Sequence, residues 1–505
     1  MKRFTVAIGL LLAALYTPLT DCAVHAQTLW NQGQPSPKRE LRAVWLTTLS
    51  GLDWPRTKAT DSRSREKQKQ ELCQMLDQLQ RLNINTILFQ TRIRGSVVYP
   101  SKFEPWDICL TGTFGKSPGY DPLAFAIEET HRRGMEFHAW VVTIPAFKVE
   151  AVKKMGKQSL LYTHPELMKK HNGQYYLDPG LPGTADYLSA VLNDFIGKYD
   201  IDGIHFDYIR YPENAPAFPD DATYKLYGKG QNKNDWRRDN ITRIVRRLYH
   251  EVKARKPWVK MSCSPVGKYS DTKRQSAGGW NARDAVHQDA QGWLREGIQD
   301  MLFPMMYFTG RNFYPFAIDW KEGSYGRYVA PGLGIYFLHP AEKNWDLSVV
   351  TQELNYLRRQ GLSGQAFFRS RFLTENTKGL YDWLRNGFYA HPTLPPCYSW
   401  LDSIAPSRPA EVRLVPTEGR MGQLQWQPAT DDSPGGVRYN VYASPTYPVD
   451  TQNAENLIAS LLPEPRYTFN RYTAWTNGLY FAITAIDRCG NESEAVQCNI
   501  YGQQK

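Results

Sequence analysis

The chain holds 505 residues, 42% of them hydrophobic and 13% aromatic, with a formal charge of +11 at pH 7. That length exceeds one ordinary domain, and that apolar content excludes a disordered chain. The basic balance suits association with anionic envelope polymers or lipids, or is only a solvated basic surface.

Residues 1–26 read as a secretory signal. Lys2-Arg3 is its basic start, Phe4 to Leu15 its apolar core, and Val24-His25-Ala26 a cleavage site before Gln27. The apolar run is too short to span a bilayer and no other transmembrane segment is expected. The protein is therefore expected to be exported, periplasmic or extracellular, with nucleic acid excluded as a partner. Cys22 raises a lipid anchor, but Asp21 stands where a lipoprotein signal wants a small residue.

Eight apolar runs follow: Leu41–Thr48, Thr86–Arg94, Glu136–Ile144, Gly203–Tyr211, Lys260–Val266, Met301–Phe308, Val329–Phe337 and Gln365–Phe372. Amphipathic stretches separate them, including Arg65–Leu82, Pro122–Arg133, Ala185–Tyr199, Trp236–Arg255 and Asp346–Gln360, and Thr374–Phe388 would be the last helix. This alternation predicts an α/β chain folded as a (β/α)8 TIM barrel over residues 27–390, with its chemistry at the C-terminal ends of the strands. Residues 391–409 form a Pro-rich linker, and residues 410–505 read as a small all-β sandwich. The linker implies separate cores, so the sandwich is expected to be removable at about residue 395 without unfolding the barrel.

The fourth run carries Asp202-Gly203-Ile204-His205-Phe206-Asp207-Tyr208-Ile209-Arg210-Tyr211-Pro212. Strand alternation turns Ile204 and Phe206 toward the helices, and His205 and Asp207 into the barrel with Asp207 nearer the mouth. A carboxylate there is expected to be catalytic, as nucleophile or general base, or else a structural pair with Arg210 or His205. Gln90, Arg92, Arg94, His138, His205, Tyr208 and Arg210 are candidate polar contacts to substrate. Trp45, Trp54, Trp106, Trp140, Tyr208 and Tyr307 are candidate stacking surfaces for sugar, with Asp53-Trp54-Pro55 expected on the rim. Glycoside hydrolysis needs a second carboxyl group. Glu213, Asp271, Asp284, Asp289 and Asp53 remain open for it.

No Gly-rich phosphate loop, G-x-S-x-G elbow or H-E-x-x-H motif occurs, which lowers nucleotide, esterase and metalloprotease readings. Cys73, Cys109, Cys263, Cys397, Cys489 and Cys498 lack metal-ligand spacing, so neither metal nor cofactor is expected.

Glu40-Leu41-Arg42-Ala43-Val44-Trp45-Leu46-Thr47-Thr48, Leu52-Asp53-Trp54-Pro55, Tyr99-Pro100-Ser101-Lys102-Phe103-Glu104-Pro105-Trp106, His138-Ala139-Trp140 and Asp202–Asp207 together resemble the glycosyl hydrolase-like 10 family over about residues 39–372. The resemblance implies a secreted glycosidase-type barrel. It also implies bacterial cell-wall glycan as substrate, since a divisome-associated relative cleaves peptidoglycan strands stripped of peptides. Tyr208 stands where many relatives carry a second Asp, Ser96 replaces a frequent Asp, and Met305 a frequent Gln. Val142-Thr143-Ile144-Pro145 replaces an Asn-Pro-Tyr-Arg type segment. These departures point to altered specificity, or to a non-catalytic glycan-binding protein on a degenerate barrel. Trp426, Tyr439, Tyr442 and Ala485-Ile486-Asp487 with Gly490-Asn491-Glu492-Ser493 make residues 410–505 resemble a fibronectin type III domain.

Overall fold

A computed structural model describes residues 36–417 and 419–499; the stretch expected to be a signal, with Cys22, lies outside them. Eight parallel strands form the barrel: β1 (Leu41–Leu46), β2 (Thr86–Arg92), β3 (Glu136–Val142), β4 (Gly203–Asp207), β5 (Lys260–Cys263), β6 (Met301–Leu302), β7 (Tyr328–Val329 and Gly332–Leu333) and β8 (Gly364–Phe367). The expected TIM barrel is present, with strands shorter than the apolar runs because each run continues into the loop at the mouth.

Ring closure depends on a broken strand. Ala330-Pro331 interrupts β7, whose first half pairs with β6 and second half with β8. Pro331 has no N–H to give, yet its carbonyl accepts from Ala366 at 3.0 Å, while Gly332 N–H donates to Pro304 at 2.8 Å. The seam from β8 to β1 needs glycine: Gly364 has φ +138°, and a Cβ there would lie 2.0 Å from the Leu41 carbonyl oxygen.

Helices cover the sheet as the periodicity predicts: α1 (Ser62–Arg81), α2 (Pro122–Arg132), α3 (Pro182–Ile196), α4 (Lys233–Arg255) and α5 (Leu347–Arg359). Asp61 caps α1 in a reciprocal box with Ser64, and Asp121 caps α2 through the Leu123 and Ala124 amides. The expected last helix is instead short pieces, Ser370–Thr374, Leu380–Trp383 and Leu384–Phe388. Residues 145–177 add a three-stranded antiparallel sheet above β3 that the periodicity does not reveal.

Two apolar layers follow from strand alternation. Ile204 and Phe206 join the large outer core with Leu192, Phe195 and Leu248 of the helices. Trp45, Leu88, Trp140, Met301 and Phe303 fill the barrel interior.

Residues 410–498 form sheets of three and four antiparallel strands around their own core of Leu424, Trp426, Val441, Phe481 and Ile483. The Pro-rich stretch before them is packed, with Leu394 and Tyr398 fully buried, and Leu394 exchanges backbone hydrogen bonds with Lys38 and Glu40. Arg438 and Arg488 of the sandwich reach into the bottom of the barrel, 3.0 and 2.9 Å from Asp202. Among the described residues, no helix is long and apolar enough to cross a membrane.

Candidate active site

Asp207 is the last residue of β4, at the C-terminal mouth, and is 6% exposed. Its Oδ1 accepts from Ser264 Oγ at 2.9 Å and from the Tyr208 amide at 2.8 Å, and its Oδ2 accepts from Trp140 Nε1 at 3.2 Å. Burial raises its pKa above the ordinary carboxylate range, against the opposing pull of Ser264, Arg210, the Tyr208 amide and Trp140. Tyr208 turns the chain out of the strand at φ +51°, a conformation a bulky residue adopts only under constraint. Its ring lies 4.7 Å from the Arg210 guanidinium, which donates to Glu213 at 2.7 Å and to the Tyr211 carbonyl at 3.1 Å. Tyr307, half-buried, stacks on Phe368 at 5.6 Å across the mouth.

Several expected substrate contacts belong to the interior instead. Trp54 is fully buried, donates to the Gln68 carbonyl at 2.8 Å and packs on Phe89, so it is core and not rim. Trp45 donates to His205 Nε2 at 3.1 Å; an indole only donates, so this imidazole is neutral with its proton on Nδ1, facing Ser262 Oγ at 3.0 Å. Burial, then His138, holds the His205 pKa well below its ordinary value. His138 is buried against Glu136 at 3.1 Å, near the bottom of β3. Gln90 is spent on the Thr48 and Leu49 amides, 3.0 and 2.8 Å away. Arg92 is locked on Glu104, with Nη2 to Oε1 at 2.6 Å and Nε to Oε2 at 2.8 Å. Glycan does not reach these side chains in this conformation, because other protein groups already occupy their hydrogen-bonding atoms. Trp140 remains at the site, as a donor to Asp207 and not as a stacking plate.

The five carboxylates left open by the sequence also separate. Asp53 is 1% exposed and bound by Arg369 at 2.5 Å and the Thr47 amide at 2.8 Å. Asp289 caps the helix Ala290–Glu296 and accepts from the Tyr269 hydroxyl. Asp271 closes its own loop through the Ala277 amide at 2.6 Å, and Asp284 is exposed beside Arg283 at 3.0 Å. Glu213, 57% exposed, shares Arg210 with the surroundings of Asp207. Burial pushes its pKa up, but Arg210 more than offsets this and holds it below the ordinary range.

Ser264 was not among the expected residues, although the alternation Lys260-Met261-Ser262-Cys263-Ser264 places it on the inward face. Three carboxylates, Asp402, Asp431 and Asp487, have oxygens within 4.8 Å of one another beside the sandwich. Burial and the neighbouring acids push Asp431 up to about 6. Asp487 is already satisfied by the Cys489 and Asn491 amides, both at 2.8 Å.

Replacing Trp140 by Phe should move the acid limb of activity to higher pH. The indole N–H stabilises only the ionised carboxyl, so its loss raises the Asp207 pKa further. A pH profile of kcat/KM with the limb unmoved, or moved to lower pH, would contradict this.

A carboxyl group at the strand ends of a (β/α)8 barrel, set among aromatic rings, is glycosidase architecture, and the protein is a glycoside hydrolase. The model of the family described as Glycosyl hydrolase-like 10 matches residues 40–331, and the chain belongs to that family. It is 32% identical over 488 residues to "Glycosyl hydrolase YngK" of Bacillus subtilis, covering 90% of this chain and 92% of that protein. It is 34% identical over 288 residues to "Glycosyl hydrolase DigH" of Escherichia coli, covering 53% of this chain and 65% of that protein. The glycoside hydrolase domain of PgaB (BpsB) from Bordetella bronchiseptica is similar with a TM-score of 0.47 and 13% identity, over 68% of this chain and 98% of that one.

Proposed function

We propose that this enzyme is exported and cleaves glycosidic bonds in a bacterial envelope glycan, with peptide-free peptidoglycan strands as the leading substrate. The observation that carries the reading is Asp207, buried at the mouth with three donors on its carboxyl oxygens. Those donors favour the ionised form, and burial makes it more basic. Both properties suit a nucleophile or general base.

Glu213 is the partner carboxyl group in this proposal, because it pairs with Arg210, which also acts on Asp207, while the other four are held by other groups. Arg210 keeps Glu213 ionised at rest; substrate oxygens that accept from Arg210 would free Glu213 to take up a proton. Tyr208, Arg210 and Tyr307 contact the sugar. The sandwich, proposed to be of fibronectin type III kind, supports the barrel from below.

Peptide-free strands, intact sacculi, chitin and neutral polysaccharides should be incubated with the enzyme and new reducing ends measured. Release from peptide-free strands is expected. Activity on a neutral polymer and none on those strands would sink the wall-glycan reading, and glycan binding without cleavage of any polymer would favour a binding protein.

A further inference from the structure

The loops after β1, β2 and β3 border a cleft of about 430 Å³. Ile93, Phe114 and Phe147 supply its apolar wall, and Arg94, Lys148 and Lys154 its cations. Two acids also line it. Asp107 is 4% exposed and internally satisfied, by Ser96 Oγ at 2.6 Å and the Cys109 amide at 2.7 Å. Glu150 is exposed and lies 4.0 Å from Lys148, a pair that water screens.

Arg92, Arg94 and Arg210, at and after the ends of β2 and β4, differ in what faces them. Arg92 is neutralised by Glu104 and Arg210 by Glu213. Arg94 is half-buried and makes no hydrogen bond or ion pair with another described residue. The β3 loop that carries Phe147 and Lys148 into the cleft also hydrogen-bonds to β4, through the Thr143 amide to the Asp207 carbonyl at 2.8 Å and the Ile144 amide to the Tyr208 carbonyl at 3.3 Å. A planar guanidinium that no described carboxylate engages, in a cleft with an apolar wall, matches a carboxylate on a short carbon substituent.

We infer that this cleft is a subsite for a carboxylate-bearing sugar of the glycan, with Arg94 donating to the carboxylate and the half-buried Phe114 packing on the substituent carbons. The inference rests on the glycan reading of the Asp207 site and names the chemical feature that selects the substrate. Lys148 and Lys154 add field at the rim, and Arg94 sets the geometry.

The test compares a peptide-free peptidoglycan tetrasaccharide with the same compound after reduction of its carboxyl groups to alcohols. Each is titrated into full-length Asp207→Asn protein by calorimetry, with and without Arg94→Gln or Arg94→Lys. The acid form should bind at least about 10-fold tighter, as one charge-assisted contact provides. Arg94→Gln should bring that ratio close to one, and Arg94→Lys should leave an intermediate ratio. Equal affinity for the two compounds, no binding of either, or a ratio unchanged in Arg94→Gln overturns the subsite. Hydrolysis of both by the unmutated enzyme separates the readings: equal cleavage would leave the glycosidase proposal standing while the subsite falls. Preferential binding of the acid form without cleavage would do the reverse.

Discussion

Asp207→Asn should reduce kcat on a validated glycan by about three orders of magnitude or more, as loss of a nucleophile or general base does. The fold should hardly notice. Burial raises the folded pKa of Asp207, so its ionised form costs stability as pH rises past the unfolded value of about 3.9. A neutral amide escapes that cost at pH 7. Against this, Asn can offer an oxygen to Trp140 or to the Tyr208 amide but not to both, a loss of about 1 kcal/mol. The thermal midpoint should stay near that of the parent protein. Turnover within tenfold of the parent would remove Asp207 from the chemistry. Glu213→Gln should also fall by orders of magnitude, and little loss there would return the partner role to another carboxyl group.

Arg488→Ala should lower stability although it lies far from the active site. Asp202 is fully buried at the bottom of β4, and burial alone would push its pKa up. Arg438, Arg488 and His131, 3.0, 2.9 and 2.7 Å away, overcome that and hold it well below the ordinary range. Arg488 also donates to Asp200 at 2.8 Å and to the Ile201 carbonyl at 3.2 Å. Removing one of several partners of a buried charge costs about 1.5–3 kcal/mol, the worth of a charged contact, because Arg438 and His131 still compensate Asp202. A depressed carboxyl pKa stabilises the fold above the unfolded value of about 3.9 and loses that contribution as pH falls. The penalty of Arg488→Ala, measured by denaturant midpoint, should therefore be full at neutral pH and shrink near pH 3. A penalty below about 1 kcal/mol at pH 7 would show that the cluster is not coupled to folding. Truncation at about residue 395 removes both arginines and leaves Asp202 with His131 and the Phe137 amide, 2.7 and 2.8 Å away. Lower stability of the shortened barrel is expected, a cost that the separate cores of barrel and sandwich do not reveal.

The sequence by itself determined the barrel and the place of Asp207 in it. Strand alternation has a period of two, so Ile204 and Phe206 had to face the helices once His205 and Asp207 faced inward. The end of an apolar run marks the mouth for the same local reason. Ser264 was legible by that rule too, since it shares a face with Ser262. Partnerships were not legible, because they form between loops far apart in the chain. Arg92, Arg94 and Arg210 look alike in sequence; Glu104 and Glu213 engage two of them, and only the folded loops show which. Trp54 had the composition of a sugar platform, but α1 covers it and takes its N–H with the Gln68 carbonyl. Asp202 stood only as the first residue of the fourth-run motif, and its role appeared only when Arg438 and Arg488 arrived from more than two hundred residues away. Periodicity reports which face a side chain takes; which charge meets it there depends on how distant segments pack, and that was decided by the tertiary structure.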